Sequence, residues 1–173
     1  MSDVEINDLF KSCIDEHSDM VTRICMLMLG NMIDAQDAYL AVFEKLYIQL
    51  KKKPPDEADK WLARVAYNEC NSMLRFRRRH RMISLDDITE PFKEEEDIRY
   101  IELVFSLPEK YRNLLYLYYN ERYTTSEIAK MTGRREATVR TQLKRARERL
   151  KRILEENDEA ERSDPDEKAA KAK

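Results

Sequence analysis

The chain contains only two glycines in 173 residues, Gly30 and Gly133. Tight turns between β-strands depend on glycine, so this scarcity leaves few places at which hairpins could form. Charged residues make up 38% of the sequence, and apolar residues recur at the three- and four-residue spacing of amphipathic helices. These features together predict an all-α protein.

Four amphipathic stretches follow one another in the first 82 residues, which predicts a four-helix domain over residues 1–82. Ser2 or Asp3 is expected to cap the first helix, and Asp34 the third. The third helix is expected to stop at Pro54-Pro55, because proline cannot continue a helix. The predicted helices cover residues 4–17, 20–29, 34–52, and 56 into the run FRRRHR.

The periodic pattern stops after residue 82 and resumes near residue 98. Residues 83–97 contain a proline and a run of acids, which predicts a flexible acidic linker. A new apolar stripe over residues 98–154 predicts a second, smaller helical domain. Residues 155–173 are mostly acidic and have no apolar face, so we expect a disordered tail.

Residues 124–151 have the pattern of two short helices joined by a glycine turn. Thr124 and Glu127 fit a capping box at the start of the first helix. Gly133 can adopt the positive φ that ends it, and the second helix is expected to begin near Arg135. This arrangement predicts a helix-turn-helix. The apolar residues expected to hold the two helices together are Ile128, Ala129, Val139, Leu143, Ala146 and Leu150.

The formal net charge of −2 is an average over strongly segregated charges. Residues 130–152 contain ten bases against two acids, which favours DNA binding by the second helix of the helix-turn-helix. A second basic segment, 60–81, interleaves Trp61, Tyr67 and Phe76 with arginines, as single-stranded or melted nucleic acid requires. The alternative for this segment is that Trp61 belongs to the core and that RFRRRH is a solvated helix end.

Nothing in the sequence favours an enzyme, a metal site or a cofactor. Cys13, Cys25 and Cys70 lack the CxxC spacing of zinc ligands and are expected to be buried thiols. His17 and His80 stand in unrelated contexts, and no glycine-rich phosphate loop is present. The sequence has no apolar stretch of membrane-spanning length and no signal peptide, which predicts a cytoplasmic protein.

Three segments in order resemble a known family: DAQDAYLAVFEKLY (34–47), WLARVAYNECNSMLRFRRR (61–79), and residues 107–154 with LPEKYR, EIAKMTG and ATVRTQLKRARERL. The chain is similar to the extracytoplasmic-function sigma factors, the minimal bacterial sigma-70 proteins with only regions 2 and 4. The resemblance implies a promoter-specificity subunit that catalyses no reaction itself. It also implies three partners: core RNA polymerase through its clamp helices and flap, promoter DNA, and an anti-sigma factor.

The resemblance also implies roles for individual residues. Contacts to the −10 element are expected from Trp61, Asn68, Arg75, Arg77, Arg78 and Arg79. Contacts to the −35 element are expected from Arg134, Arg135, Glu136, Thr138, Val139, Arg140, Gln142, Lys144 and Arg145. Contacts to core polymerase are expected from Asp37, Tyr39, Phe43, Glu44 and Tyr47.

Some of these roles follow from side-chain chemistry. The amide of Asn68 suits a flipped base, and Arg140 and Gln142 have the groups that bind guanine and adenine edges.

Two departures from the family pattern stand out: Leu40-Ala41 replaces a usual Gln-Glu pair, and Thr141-Gln142 replaces a common Ser-Arg. The first is expected to redistribute or weaken the polymerase contact, and the second to alter −35 preference.

A second function class fits part of the sequence. A helix-turn-helix regulator could bind DNA without polymerase, with residues 1–82 as an oligomerisation or sensing domain. Such proteins usually bind palindromes as dimers. A sigma factor is expected instead to be monomeric when free and to bind bare promoter DNA poorly, so polymerase dependence separates the two hypotheses.

Overall fold

The structure is a computed structural model that describes residues 2–80 and 103–163. Those residues form helices and loops with no strand, which confirms the predicted all-α class. Six helices lie complete within the described ranges: α1 (Asp3–Leu29), α2 (Met32–Lys52), α3 (Ala58–His80), α4 (Glu109–Tyr119), α5 (Thr125–Thr132) and α6 (Glu136–Ser163).

The first helix is longer than predicted. Ser2 caps it through a capping box with Glu5, and Gly30 ends it in the left-handed conformation at φ 72°. The predicted break between residues 17 and 20 was wrong, because α1 runs without interruption through Ser18 and Asp19. No proline or glycine interrupts this segment, and its buried face continues from Cys13 across both predicted pieces. Residues 2–80 therefore form three helices instead of four.

The second helix begins at a different cap from the predicted one. The side chain of Asn31 accepts a hydrogen bond from the backbone N–H of Asp34 at 2.9 Å, so Asn31 is the N-cap. Asp34 lies in the first turn, where a negative charge is favourable to the helix dipole. The helix ends at Lys52, with Lys53 as its C-cap directly before Pro54-Pro55, as predicted.

The first three helices share one apolar core, in which α1 packs against both α2 and α3. All three cysteines lie in this core as free, buried thiols, as the sequence predicts. Residues that are fully or almost fully buried there include Val21, Ile24 and Cys25 of α1, Val42, Leu46 and Leu50 of α2, and Leu62, Ala66 and Cys70 of α3.

Helices α5 and α6 form the predicted helix-turn-helix. Thr124 and Glu127 make the expected capping box, and Gly133 ends α5 at φ 65°. The predicted apolar contacts are present, with Ile128 and Val139 fully buried and Leu150 packed partly buried against them. Helix α4 completes this small domain by packing against both helices.

Substitution at Gly133 is expected to destabilise the helix-turn-helix through backbone strain alone. A Cβ at this position would meet no atom within 4 Å, so the positive φ is the only obstacle. We expect Gly133→Ala to lower the free energy of unfolding by about 1 kcal/mol. Gly133→Asn should cost less, since asparagine tolerates the left-handed region. Thermal denaturation followed by circular dichroism measures both, and equal losses for the two variants would contradict this explanation.

The last helix continues beyond its predicted end. Residues 155–163 were expected to be disordered, but α6 extends to Ser163. The extension needs no apolar face, because adding a residue to a formed helix gains a hydrogen bond without a new nucleation cost. Lys151 and Glu155 add an ion pair of 3.5 Å across one turn. Residues 164–173 and the predicted linker, 83–97, lie outside the described residues.

The two domains pack directly on one another, which the sequence analysis did not predict. Helix α4 lies against α1, and α5 lies against α3. The buried amide nitrogen of Asn113 contacts the sulfur of Met28 at 3.5 Å. The hydroxyl of Tyr123 donates to a carboxylate oxygen of Asp59 at 3.1 Å. These contacts, with the ion pairs described below, define the closed arrangement of the two domains.

Candidate nucleic-acid interface

Helix α3 presents one exposed polar face. Arg64, Asn68, Arg75 and Arg79 are exposed and follow one another at helical spacing; we call them the α3 face. The side chain of Phe76 is also 53% exposed beside them. An amide and an aromatic ring among arginines can bind unpaired bases and phosphates together. The structure therefore brings Asn68, Arg75 and Arg79 of the predicted −10 residues to one surface.

Two of the predicted −10 arginines are engaged within the protein. Arg77 is turned towards α2, where its guanidinium pairs with the carboxylate of Asp34. Arg78 lies 3.7 Å from the carboxylate of Glu109 and so reaches the second domain. Their charges are therefore partly used to hold helices together, whereas Arg75 and Arg79 remain on the exposed face.

Trp61 lies at the junction of the two domains. Its half-buried side chain lines a cavity of about 480 Å³ between the end of α2, the start of α3, and α5. Lys60 crosses this junction, with its ammonium 2.8 Å from the carboxylate of Glu127. The indole is thus part of the domain junction in the closed arrangement and does not lie on the α3 face.

Helix α6 has a clear division between its buried and exposed sides. Val139 is 0% exposed and belongs to the core of the helix-turn-helix, so its predicted contact with DNA was wrong. Arg135, Thr138, Arg140, Lys144 and Arg145 are exposed, and we call them the α6 face. Ala137 and Thr141 are exposed on the same side, about half a turn from Val139. Thr141 was expected to affect −35 preference, whereas Ala137 was not among the predicted residues.

Glu136 connects the start of α6 to α5. Its carboxylate accepts a hydrogen bond from the hydroxyl of Thr125 at 2.6 Å and from the guanidinium of Arg140 at 2.6 Å. These two bonds lower the pKa of Glu136 below its ordinary value. Glu136 therefore positions Arg140 instead of facing DNA as a free acid.

Arg134, two residues before the start of α6, is bonded to α6 and lies over α3. The guanidinium of Arg134 donates to the side-chain oxygen of Gln142 at 2.7 Å. It also lies 5.8 Å from the ring centroid of Tyr67 in α3, within the range of a cation–π contact. The helix-turn-helix and α3 therefore touch at this arginine.

The predicted polymerase residues divide into two groups. Phe43 is only 4% exposed and packs against Phe10 and Tyr39, so its predicted role as a direct contact was wrong. Tyr39 and Tyr47 are half-buried against α1 and its neighbours. Asp37 and Glu44 are exposed on the opposite side of α2.

Three large aliphatic side chains share that exposed side of α2 with the acids. Ile33, Leu40 and Ile48 are 74%, 65% and 48% exposed and follow one stripe of the helix. Leu40 is the first residue of the Leu40-Ala41 pair that replaces the usual Gln-Glu pair of the family. We call this stripe, with Asp37 and Glu44, the α2 face.

Electrostatics favour the closed arrangement at neutral pH. The hydrogen bond from Lys60, with those from Thr124, lowers the pKa of Glu127 to about 2, well below the usual 4.5 for glutamate. The hydrogen bonds from Lys60 to Glu127 and Glu57 raise the pKa of Lys60 above its ordinary value. Both groups are therefore charged at neutral pH, and the ion pair between the domains is fully formed.

The described residues contain neither a metal-binding cluster nor a membrane-spanning helix. Residues 2–80 and 103–163 contain no group of three or more histidine, cysteine, aspartate or glutamate side chains placed to hold a metal ion. No helix in the same ranges has both the length and the apolar character needed to cross a membrane.

Comparison with known proteins matches both domains in order. Residues 13–80 match the family described as sigma-70 region 2, and residues 98–150 match sigma-70 region 4. The ECF RNA polymerase sigma factor SigW of Bacillus subtilis is 23% identical over 167 residues, which cover 85% of this chain and 89% of SigW. The RNA polymerase sigma factor SigV of the same organism is 27% identical over 145 residues, with 80% and 86% coverage.

A solved structure agrees with these relatives at the level of the fold. The sigma factor RpoE from Bartonella quintana, solved in complex with the anti-sigma factor NepR, superposes with a TM-score of 0.70. Its identity to this chain is 17%, and the match covers 84% of this chain and 96% of RpoE. With both regions matched in order, the chain belongs to the sigma-70 family, as an extracytoplasmic-function RNA polymerase sigma factor.

Proposed function

We propose that this sigma factor binds −10 DNA through the α3 face and −35 DNA through the α6 face while attached to core RNA polymerase. The observation that supports this most is the presence of two separate exposed cationic faces, each on a helix of a different domain. Phosphates give such faces affinity, and the amide and guanidinium groups among them can select bases.

The closed arrangement must open for this function. The −35 and −10 elements are separated by about 25 base pairs, or roughly 85 Å of duplex at 3.4 Å per pair. Here the two domains touch, with Arg134 5.8 Å from the ring of Tyr67. The chain between residues 80 and 103 could reach at most roughly 75–80 Å when fully extended. With the widths of the two domains added, this length is sufficient for the protein to contact the −35 and −10 elements at the same time.

Core polymerase is proposed to bind the α2 face. Asp37 and Glu44 provide charge, while Leu40 and its aliphatic neighbours provide apolar area, in place of the polar Gln-Glu pair usual in the family. We assign this face to the clamp helices, with a further contact between the second domain and the flap. The domain core, including Phe43, supports the face from behind.

An anti-sigma factor is proposed as the regulatory partner, on the precedent of RpoE with NepR. In this proposal the free protein is a cytoplasmic monomer, and it catalyses no reaction of its own. The alternative is a dimeric regulator that acts without polymerase. The match of residues 13–80 to sigma-70 region 2 does not support it.

Transcription with purified core polymerase from a library of promoters tests the proposal. We expect Asn68→Ala to change selection within the −10 element and to leave −35 selection unchanged.

Arg140→Ala should cost about 1–3 kcal/mol at one −35 position if its side chain contacts a base. Equal loss on all promoters would identify a phosphate contact instead. The proposal fails if no polymerase complex forms while the free protein protects a palindrome as a dimer.

A further inference from the structure

The bond between Arg134 and Gln142 determines which way the Gln142 amide points. The two atoms at the end of a glutamine side chain differ, since the oxygen only accepts hydrogen bonds and the nitrogen only donates them. A guanidinium has donors and no acceptor. The atom that faces Arg134 at 2.7 Å must therefore be the oxygen of Gln142.

The position of Arg134 is itself well defined. Its backbone N–H bonds to the carbonyl of Ala129 at 3.0 Å, directly after the left-handed Gly133. Its side chain is half-buried between α3 and α6, where the ring of Tyr67 lies on one side. Because the backbone bond comes from the helix-turn-helix alone, the arginine stays beside Gln142 when the domains separate.

Gln142 lies beside the α6 face. Thr138 and Arg145, one turn before and almost one turn after it, are both exposed, and Gln142 itself is partly exposed. With its oxygen turned towards Arg134, the amide points its NH₂ donor in the other direction, so the donor is the group that we expect Gln142 to offer to DNA. Bidentate recognition of adenine needs both the oxygen and the nitrogen. The sequence-based expectation of an adenine contact therefore conflicts with this geometry.

We infer that Arg134 is a positioning residue that restricts Gln142 to hydrogen-bond donation, so that the base facing it in the −35 element must present an acceptor. The inference rests on the proposed function of the α6 face. In the major groove, guanine offers N7 and O6, adenine N7 and thymine O4, whereas cytosine offers only a donor. Guanine or thymine is the expected choice at this position, because the N6 donor beside adenine N7 would face the NH₂ donor of Gln142. Cytosine is the excluded base.

Substitution of Arg134 by methionine tests the restriction. Arg134→Met keeps an unbranched apolar stem but removes every donor, which frees the oxygen of Gln142. The holoenzyme carrying this variant should gain preference for adenine at a single −35 position, by at least about fivefold relative to the wild type. Transcription from a promoter library randomised across the −35 element, with sequencing of the transcripts, measures that preference.

Substitution of Gln142 by glutamate provides the opposite test. In Gln142→Glu, one carboxylate oxygen binds Arg134 and the other is an acceptor. The same position should then favour cytosine, which presents its N4 donor, and select against guanine. A reversal at one position, with the rest of the preferred sequence unchanged, would support the inference strongly.

Two control variants separate this effect from others. Arg149→Met removes one positive charge, as Arg134→Met does, but leaves the bond to Gln142 in place. Tyr67→Leu removes the ring beside Arg134 and also leaves that bond in place. Both should keep the wild-type order of bases at every −35 position, even if total transcription changes. Thermal denaturation of each variant shows whether it is folded.

The outcomes distinguish failure of the inference from failure of the proposed function. If the wild-type holoenzyme selects a −35 sequence but Arg134→Met and Gln142→Glu keep its order of bases, the inference is wrong and the function stands. If the wild-type holoenzyme selects no −35 sequence at all, the proposed function itself is wrong. A shift in base order with Tyr67→Leu that equals the shift with Arg134→Met would also overturn the inference.

Discussion

A covalent cross-link between positions 60 and 127 is expected to abolish promoter-directed transcription. Lys60 and Glu127 form an ion pair across the two domains at 2.8 Å, so Lys60→Cys and Glu127→Cys place two thiols at the same junction. A short bifunctional maleimide with a cleavable disulfide would then hold the closed arrangement. Because that arrangement cannot place the α3 and α6 faces on both promoter elements, transcription should fall at least about tenfold.

The decisive comparison is between the transcription activity of the cross-linked protein and that of the same protein after the linker has been cleaved. Reduction of the linker should restore the activity of the untreated double variant, measured by transcription with core polymerase on a two-element promoter. Each single cysteine variant, treated in the same way, controls for modification alone, since the native cysteines are buried. Full activity of a sample shown by mass spectrometry to be cross-linked would contradict the need for opening.

A charge placed in the α2 face is expected to prevent assembly with polymerase without unfolding the protein. Leu40 is 65% exposed, so Leu40→Arg should change the free energy of unfolding by no more than about 0.5 kcal/mol. Binding to core polymerase should weaken roughly 10- to 100-fold, because the arginine charge would be buried in an apolar contact. Competition with a labelled sigma factor for core polymerase measures the affinity.

Two further variants make this result specific. Val4→Arg introduces the same charge at a site that is 70% exposed on α1, and it should bind polymerase as the wild type does. Phe43→Ala should show the opposite pattern, with a loss of about 3–5 kcal/mol in stability from a cavity in the core. Normal polymerase binding by Leu40→Arg would exclude the α2 face as the docking surface.

The order of helices in the second domain was predictable from residues close together in the sequence. Capping at Thr124, the turn at Gly133 and the apolar stripe through Val139 all depend on neighbours within a few positions, and all are present. The same stripe excludes Val139 from DNA contact, because a side chain in the helix-turn-helix core cannot also face the groove. Position in a motif does not show on which side of a helix a side chain lies, whereas the helical spacing of the apolar residues does.

The closed arrangement was not predictable from the sequence. It depends on pairs such as Asn113 with Met28 and Tyr123 with Asp59, which lie 85 and 64 residues apart. Single polar residues of this kind have no periodic pattern that identifies their partners. The roles of Arg77 and Phe43 were missed for a related reason, since only the packed structure shows which side of each helix is covered.

The length and charge order of α6 limit how that helix can lie on DNA. Its 28 residues span about 42 Å, roughly twice the width of a duplex. All of the bases in this helix except Arg162 occur before residue 153, while five of the eight residues 155–162 are acids. A phosphate backbone attracts the positive end of the helix dipole and repels the acidic end. In the proposed complex with DNA, the amino end of the helix therefore leads, and its acidic end lies away from the phosphates.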